Sequence, residues 1–182
     1  MTLSRQNVPG RTYMMTRRTT QRLFLLTPTR FSRNAYLYCL GYAANRWGIE
    51  LHSFCGLGNH HHDQFTDTWG FKSKFAEDLH KYLAKVMNAH LGRWENLFDN
   101  SKPSFVHLVD ADAARRNMTY ILANPVKHRL VHRAKLWPGP WSRPLDMAGS
   151  IIKASRRSDA RRGGVRADPS PVFRRHAQAG FH

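Results

Sequence analysis

Gly58-Asn59-His60-His61-His62-Asp63 is the stretch whose reading decides the rest. Gly56-Leu57-Gly58 predicts a turn, and the residues from His60 to about Thr68 then read as a β-strand. Side chains on a strand alternate between faces. His60 and His62 therefore point one way and His61 the other. Two imidazoles side by side on one strand supply two legs of a divalent-metal site. The preceding residues, Ile49 to Cys55, alternate loosely and read as the partner strand. Ile49, Leu51 and Cys55 fall on one side of it, and Glu50, His52 and Phe54 on the other.

Outward from that hairpin, the clearest element is a helix with Phe71, Phe75, Leu79, Tyr82, Leu83 and Val86 on one stripe and Gly92 after it. Ser104 to Val109 reads as a strand. Asp110 can cap a third helix, because its carboxylate can accept a free backbone N–H. Ala114, Met118, Ile121 and Leu122 give that helix a core face, while Asn117, Tyr120 and Asn124 occupy a more polar one. Tyr120 and Asn124 are four apart and share a face. Pro125 is expected to end the helix, since the residue before proline disfavours helical backbone. Toward the N-terminus, Arg11 to Arg18 reads as a strand, and the apolar run Arg22 to Thr27 as a second. A helix then starts at Pro28-Thr29, carries Leu37, Leu40, Ala44 and Trp47, and stops at Gly48. Trp94 to Phe98 fits no single element. The predicted order, β-β-α-β-β-α-β-α, is that of an α+β domain: an antiparallel sheet with helices packed on one face.

A chain of 182 residues is long enough for one domain with a real core. Its formal charge is +17, with a sequence pI of about 10.9. Such an excess does nothing for folding and implies an anionic partner, of which nucleic acid is the commonest. Cys39 and Cys55 form no C-x-x-C pair and read as buried reduced thiols in a reducing cytoplasm. No apolar run reaches the roughly 20 residues a membrane span needs. The N-terminus lacks the apolar stretch of a signal peptide. A cytoplasmic protein without membrane partners is expected. Residues 151–182 hold eight Lys or Arg against Asp159 and Asp168, a net of 8 − 2 = +6, without apolar periodicity. They read as a basic, disordered tail.

A metal pair on a strand and a tyrosine on a helix point to phosphodiester chemistry. The metal would polarise the phosphate and the hydroxyl would attack it. At this point the sequence resembles a known family. Asn59-His60-His61-His62 is similar to the Asn-His-aromatic-His motif of the HUH single-strand DNA nucleases. Tyr120-Ile121-Leu122-Ala123-Asn124-Pro125-Val126 resembles the nucleophile helix of their REP-associated tyrosine transposase branch, also called IS200-like. Arg11 to Arg18 resembles that branch's first strand, and Gly92-Arg93-Trp94-Glu95-Asn96 and Trp137-Pro138-Gly139 fit it too. The likeness runs from about Val8 to about Pro140.

The resemblance implies a ferredoxin-like HUH endonuclease fold, with the sheet face that bears His60 and His62 left open for DNA. It divides the chain into a polar lead-in (1–10), a catalytic domain (11–140) and the basic tail (141–182). It implies that Tyr120 is the nucleophile and that His60, His62 and Asn124 hold Mg²⁺ or Mn²⁺. Arg11, Arg17, Arg18 and Arg22 would hold DNA near the sheet edge. Lys127, His128 and Arg129 would meet phosphates near the nucleophile, and Trp94 would stack on bases. His52 and Asp67 are candidates for a general base. The implied enzyme nicks and rejoins single-stranded DNA beside a hairpin through a 5′-phosphotyrosine. It would work as a monomer or homodimer in the bacterial nucleoid. His61, Asp63 and Gln64 depart from the family, where apolar residues are usual. A second reading follows from them: a catalytically inactive nucleic-acid-binding protein that keeps the fold. A third, an RNA-binding ribosome-associated protein, fits the charge.

Overall fold

The computed structural model describes residues 7–143, together with the backbone of 152–153 and 172–173. Strand β1 (Arg11–Arg18) leads to helix α1 (Arg30–Trp47), then β2 (Ile49–Gly56), β3 (His60–Asp67), helix α2 (Lys72–Leu91), β4 (Ser104–Leu108) and helix α3 (Ala111–Lys127). The sheet order is β2-β3-β1-β4. Each neighbouring pair is antiparallel. With the connection β1-α1-β2-β3-α2-β4, this is the split βαβ topology of ferredoxin-like domains, as expected. Two short strands, β5 (Ile152–Lys153) and β6 (Val172–Phe173), pair with each other. Apart from these strands and residues 141–143, the basic tail lies outside the described residues.

Helix boundaries follow the stop and cap signals. Gly48 and Gly92 both adopt the left-handed conformation after their helices, at φ 61° and 64°. Thr29 and Ser32 form a reciprocal capping box at the start of α1. Asp110 accepts the amide of Ala113 at 2.6 Å to start α3. The amides of Phe71 and Lys72 at the head of α2 are taken by the Asp67 carboxylate at 2.7 and 2.9 Å. Asp67 is therefore a structural cap.

The odd positions of β1 and β3 (Tyr13, Met15, His61, Asp63, Phe65, Asp67) face α1 and α2 and are buried. Tyr13, Met15 and Phe65 form the main core with Leu40, Leu79, Leu83, Phe75 and Leu51. The even positions face the other way. That second face is not left wholly open. Helix α3 lies across it, placing Ile121 against Cys55 and Leu57 and bonding Gln64 through Asn117 and the Ala114 carbonyl. The expectation that every helix shares one face holds for α1 and α2 only. An amphipathic pattern marks which residues of a helix are buried, not which side of a sheet receives them.

Three further expectations need correction. Arg22 to Thr27 is no strand. Gln21 and Arg22 have φ of 50° and 57°, which breaks extension, and Leu26 is buried from a loop through a bond from its amide to the Gly58 carbonyl. Strand β2 carries a bulge at His52, where the register jumps from Leu51↔Phe65 to Ser53↔Gln64. The inserted residue reverses the alternation. Phe54 thereby joins Leu51 in the main core, and Cys55 turns to α3. Finally, Pro125 does not end α3, which runs to Lys127. It closes through Arg129 at φ 56°, with the Leu130 amide on the Pro125 carbonyl at 2.9 Å.

The fold also extends past residue 140. Gly56 donates to the Pro140 carbonyl, and Phe54 and Ser142 exchange bonds at 2.8 and 3.0 Å. The Trp141 indole donates to Leu122 O and that of Trp137 to Gly56 O. This segment covers the edge of β2 and ties α3 to the sheet.

Candidate active site

His60 and His62 emerge on the face crossed by α3, and His61 on the other. The rings of His60 and His62 have centroids 5.0 Å apart. Each imidazole is held through Nδ1. Asn59 Oδ1 accepts from His60 Nδ1 at 2.7 Å, and Thr16 Oγ1 sits 2.8 Å from His62 Nδ1. Nε2 of each is then the atom left for a ligand. Metal-binding histidines are commonly held by such outer bonds. Burial is the first cause that lowers both imidazoles, to about 4 for His60 and about 3 for His62, with neighbouring positive charge second. Both are neutral at pH 7, with lone pairs available.

Helix α3 lays a row of side chains over this pair. Tyr120, Asn124 and His128 are spaced four apart on one face. The Tyr120 ring stands 5.6 Å from that of His62, and His128 stands 6.1 Å from His60. Asn124, between them on the helix, therefore lies over the gap between the imidazoles. Asn124 is fully buried, yet both its amide atoms lack hydrogen-bond partners among the described residues, as does His62 Nε2. Buried polar atoms without partners are costly and rare. The amide oxygen suits Mg²⁺ or Mn²⁺, and the two imidazole nitrogens favour the first-row ion, Mn²⁺, of the two. Among the described residues no group of three or more His, Cys, Asp or Glu is placed to hold a metal. The amide of Asn124 is what would complete this one.

The basic residues divide. Arg18 extends from the end of β1 on the site face, and Arg18, Arg22, Asn59 and His60 line a small hollow of about 100 Å³. Lys127 Nζ lies 4.7 Å from the centre of the Tyr120 ring. Arg129 is exposed just beyond α3. Arg17 is on the opposite face, bonded to the carbonyls of Asp99 (2.7 Å) and Ser101. Its guanidinium holds a loop. Arg11 also lies on the α1–α2 face of β1. Trp94 is 97% exposed and belongs to no core. His52 sits 2.7 Å from Thr66 at the far end of the face. Neither His52 nor Asp67 is near Tyr120.

His61 and Asp63, the departures from the family pattern, are fully buried with partners. His61 Nδ1 donates to Asp63 at 2.7 Å, and His61 Nε2 lies 3.1 Å from His80 Nε2. Tyr36 donates to Asp63 and lies 3.2 Å from His61. Sequence reading did not foresee this network, nor the part played by Thr16. Alternation places Thr16 on the site face, but its pairing opposite His62 is a matter of register.

Superposition on solved structures shows which fold this is. A REP-associated tyrosine transposase bound to a REP hairpin matches 76% of this chain and 81% of its own, with a TM-score of 0.58 at 19% identity. This chain has the fold of a REP-associated tyrosine transposase. A provisionally assigned transposase from Deinococcus radiodurans R1 matches 66% of this chain and 95% of its own, with a TM-score of 0.47 at 20% identity. No family model and no curated protein matches the chain. Among the described residues, no helix is long and apolar enough to cross a membrane.

Proposed function

We propose that this chain is a transposase: a metal-dependent single-strand DNA endonuclease and strand transferase acting on hairpin-flanked DNA through a phosphotyrosine. One observation carries the reading. The row Tyr120-Asn124-His128 lies over His62 and His60, and the buried atoms His62 Nε2 and Asn124 Oδ1 have no hydrogen-bond partner among the described residues.

His60, His62 and Asn124 would hold Mg²⁺ or Mn²⁺, which supplies Lewis-acid polarisation of the phosphate when bound. Asn59 and Thr16 fix the imidazoles so that Nε2 faces that position. The Tyr120 hydroxyl attacks phosphorus, its proton passing to solvent. The P–O3′ bond breaks, its electron pair stays on O3′, and O3′ takes a proton from water. The 5′ end is left on Tyr120 and the 3′ end is a free hydroxyl. The reverse reaction with another 3′-hydroxyl rejoins strands. No nucleotide cofactor is needed, because the phosphotyrosine bond keeps the energy of the broken linkage. Lys127, Arg18 and Arg22 stand near enough to the site to neutralise phosphates on either side.

The rival reading, an inactive nucleic-acid binder, drew on His61, Asp63 and Gln64. All three have hydrogen-bond partners, so none marks a decayed strand. Incubation with 5′-extended hairpin DNA and Mn²⁺, followed by a denaturing gel, separates the readings. A covalent adduct on the peptide bearing Tyr120 supports the transposase. Binding without an adduct, in Mg²⁺ and Mn²⁺ alike, leaves the inactive binder.

A further inference from the structure

Beside the histidine pair, on the side away from α3, a cleft of about 430 Å³ opens between the end of β1 and the loop before β4. Thr16, Arg18 and His62 form its inner wall, and Asp99, Ser101, Lys102 and Ser104 its outer one. We infer that this cleft holds the nucleotide on the 3′-hydroxyl side of the scissile phosphate and keeps that end in place for rejoining. The inference rests on the proposed function above.

In-line displacement at phosphorus requires the entering and leaving oxygens on opposite sides of the reacting atom. The sheet order β2-β3-β1-β4 fixes those sides. Tyr120 packs with Cys55, Leu57 and Ile121 over the β2–β3 half. The cleft lies over the β1–β4 half, with His62 on its inner wall. A phosphate between His62 and Tyr120 would expel O3′ away from Tyr120, toward Thr16 and Ser104. The nucleotide bearing that oxygen must then occupy the cleft. Its size is within the range of small-molecule sites.

The wall is built for the task. The loop from Asp99 to Ser101 is pinned by the Arg17 guanidinium on two carbonyls and by the bond from the Asp99 amide to the Arg18 carbonyl at 3.2 Å. Burial lowers Arg17, against the raising effect of Asp99. Arg17 is thus a positioning residue for the cleft. Arg18 lines one side of the cleft, and Lys102 the other beside the hydroxyls of Ser101 and Ser104; Arg17 lines it too, with its guanidinium engaged by the loop carbonyls. That combination suits one nucleotide with its phosphate. The nucleotide on the other side of the scissile bond, covalently tied to Tyr120, is left to the hollow of Arg22 and Asn59 and to Lys127.

The test uses the full chain and a 5′-extended hairpin oligonucleotide carrying 5-iododeoxyuridine at one position. Placed immediately 5′ of the cleaved bond, on the strand that ends in the 3′-hydroxyl, it should photocrosslink to the peptide spanning residues 99–104. Placed immediately 3′ of that bond, it should not. Lys102→Glu, on an exposed loop, should leave melting temperature and Mn²⁺ affinity close to wild type. It should cut rejoined product roughly tenfold, the loss expected when one charged contact holds a released strand. Crosslinks in the reverse pattern, or rejoining unchanged in Lys102→Glu, overturn the assignment while the transposase reading stands. Absence of any adduct with the wild-type chain sinks both.

Discussion

The Tyr120 ring stands edge-on to that of His62, with centroids 5.6 Å apart and planes at 77°. One residue comes from a strand near the middle of the sheet and the other from a helix after its last strand. Only the crossing of α3 over the sheet brings them together. Removing the hydroxyl alone, as Tyr120→Phe, keeps the ring and that contact. Hairpin binding and melting temperature should stay close to wild type, while cleavage and adduct vanish together, because the oxygen is the attacking atom. Gel assays and a thermal melt on one preparation check this. An adduct in the variant, or attachment to Tyr82 or Tyr13 in wild type, refutes the role.

His60, His61 and His62 should behave as two kinds of residue. His60→Ala and His62→Ala each remove a metal donor and should abolish cleavage with little loss of stability. His61→Ala opens a buried network, leaving Asp63 and His80 short of partners. Its cost should be about 2–4 kcal/mol of stability, with metal affinity retained in the folded fraction. Denaturant melts with Mn²⁺ titrations separate the two. Equal loss of Mn²⁺ binding in all three contradicts the strand geometry.

Much of this was legible in the sequence. His60 and His62 share a face because a strand has period two. The ends of α1 and α2 were marked by Gly48 and Gly92, and the start of α3 by Asp110. What failed depended on long-range pairing. The bulge at His52 exchanged the faces of Phe54 and Cys55, and nothing local announces an inserted residue. The apolar run from Leu23 to Leu26 looked like a strand, but positive φ at Gln21 and Arg22 turns it into a loop. The unpaired atoms of Asn124 became visible only once its neighbours were in place. His61 and Asp63 stand in the sequence as polar departures from the family pattern. Their solution required His80, from an element whose rotation about its axis is set by packing.

Acid should destabilise the metal-free protein over a defined window. Burial holds the imidazoles of His60 and His62 at about 4 and about 3, below the ordinary value near 6.5. Between those values the unfolded chain binds more protons than the folded one, so stability rises with pH. The contribution is complete above about pH 6.5 and is lost as pH falls through about 4 for His60 and about 3 for His62. Melting temperatures at pH 7.5, 5.5 and 4.5 should drop in sequence. The slope should lessen in a His60→Ala/His62→Ala variant. It should not vanish, because burial also holds His80 well below its usual range. A melting temperature that rises on acidification contradicts the burial seen here.

Arg129 sits where a glycine would be easier. Its φ of 56° costs a side-chain-bearing residue about 1 kcal/mol that glycine avoids. Arg129→Gly should therefore raise stability by roughly 0.5–1 kcal/mol. It should also weaken DNA binding and reduce the salt dependence by about one phosphate contact. Thermal melts and binding at two salt concentrations read the two effects apart. A variant less stable than wild type would show that the arginine makes contacts that outweigh its strain.

Thr16 tests whether the metal site is arranged from behind. Its hydroxyl lies 2.8 Å from His62 Nδ1, and it is the only hydrogen-bond partner of that ring among the described residues. With Nδ1 so engaged, Nε2 keeps its lone pair toward Asn124. Thr16→Val has nearly the same shape and removes the hydroxyl. The ring is then free to change tautomer or rotate, and Mn²⁺ affinity should fall about 10–100-fold. Cleavage should be partly restored by raising Mn²⁺, which a defect in the nucleophile would not allow. Thr12→Val is the matched control. Thr12 bonds Thr66 at 2.8 Å on the same face, two side-chain rows from His62, and its loss should leave Mn²⁺ binding unchanged. Isothermal titration of both variants decides the matter, and equal affinities would show that Thr16 plays no part in orienting His62.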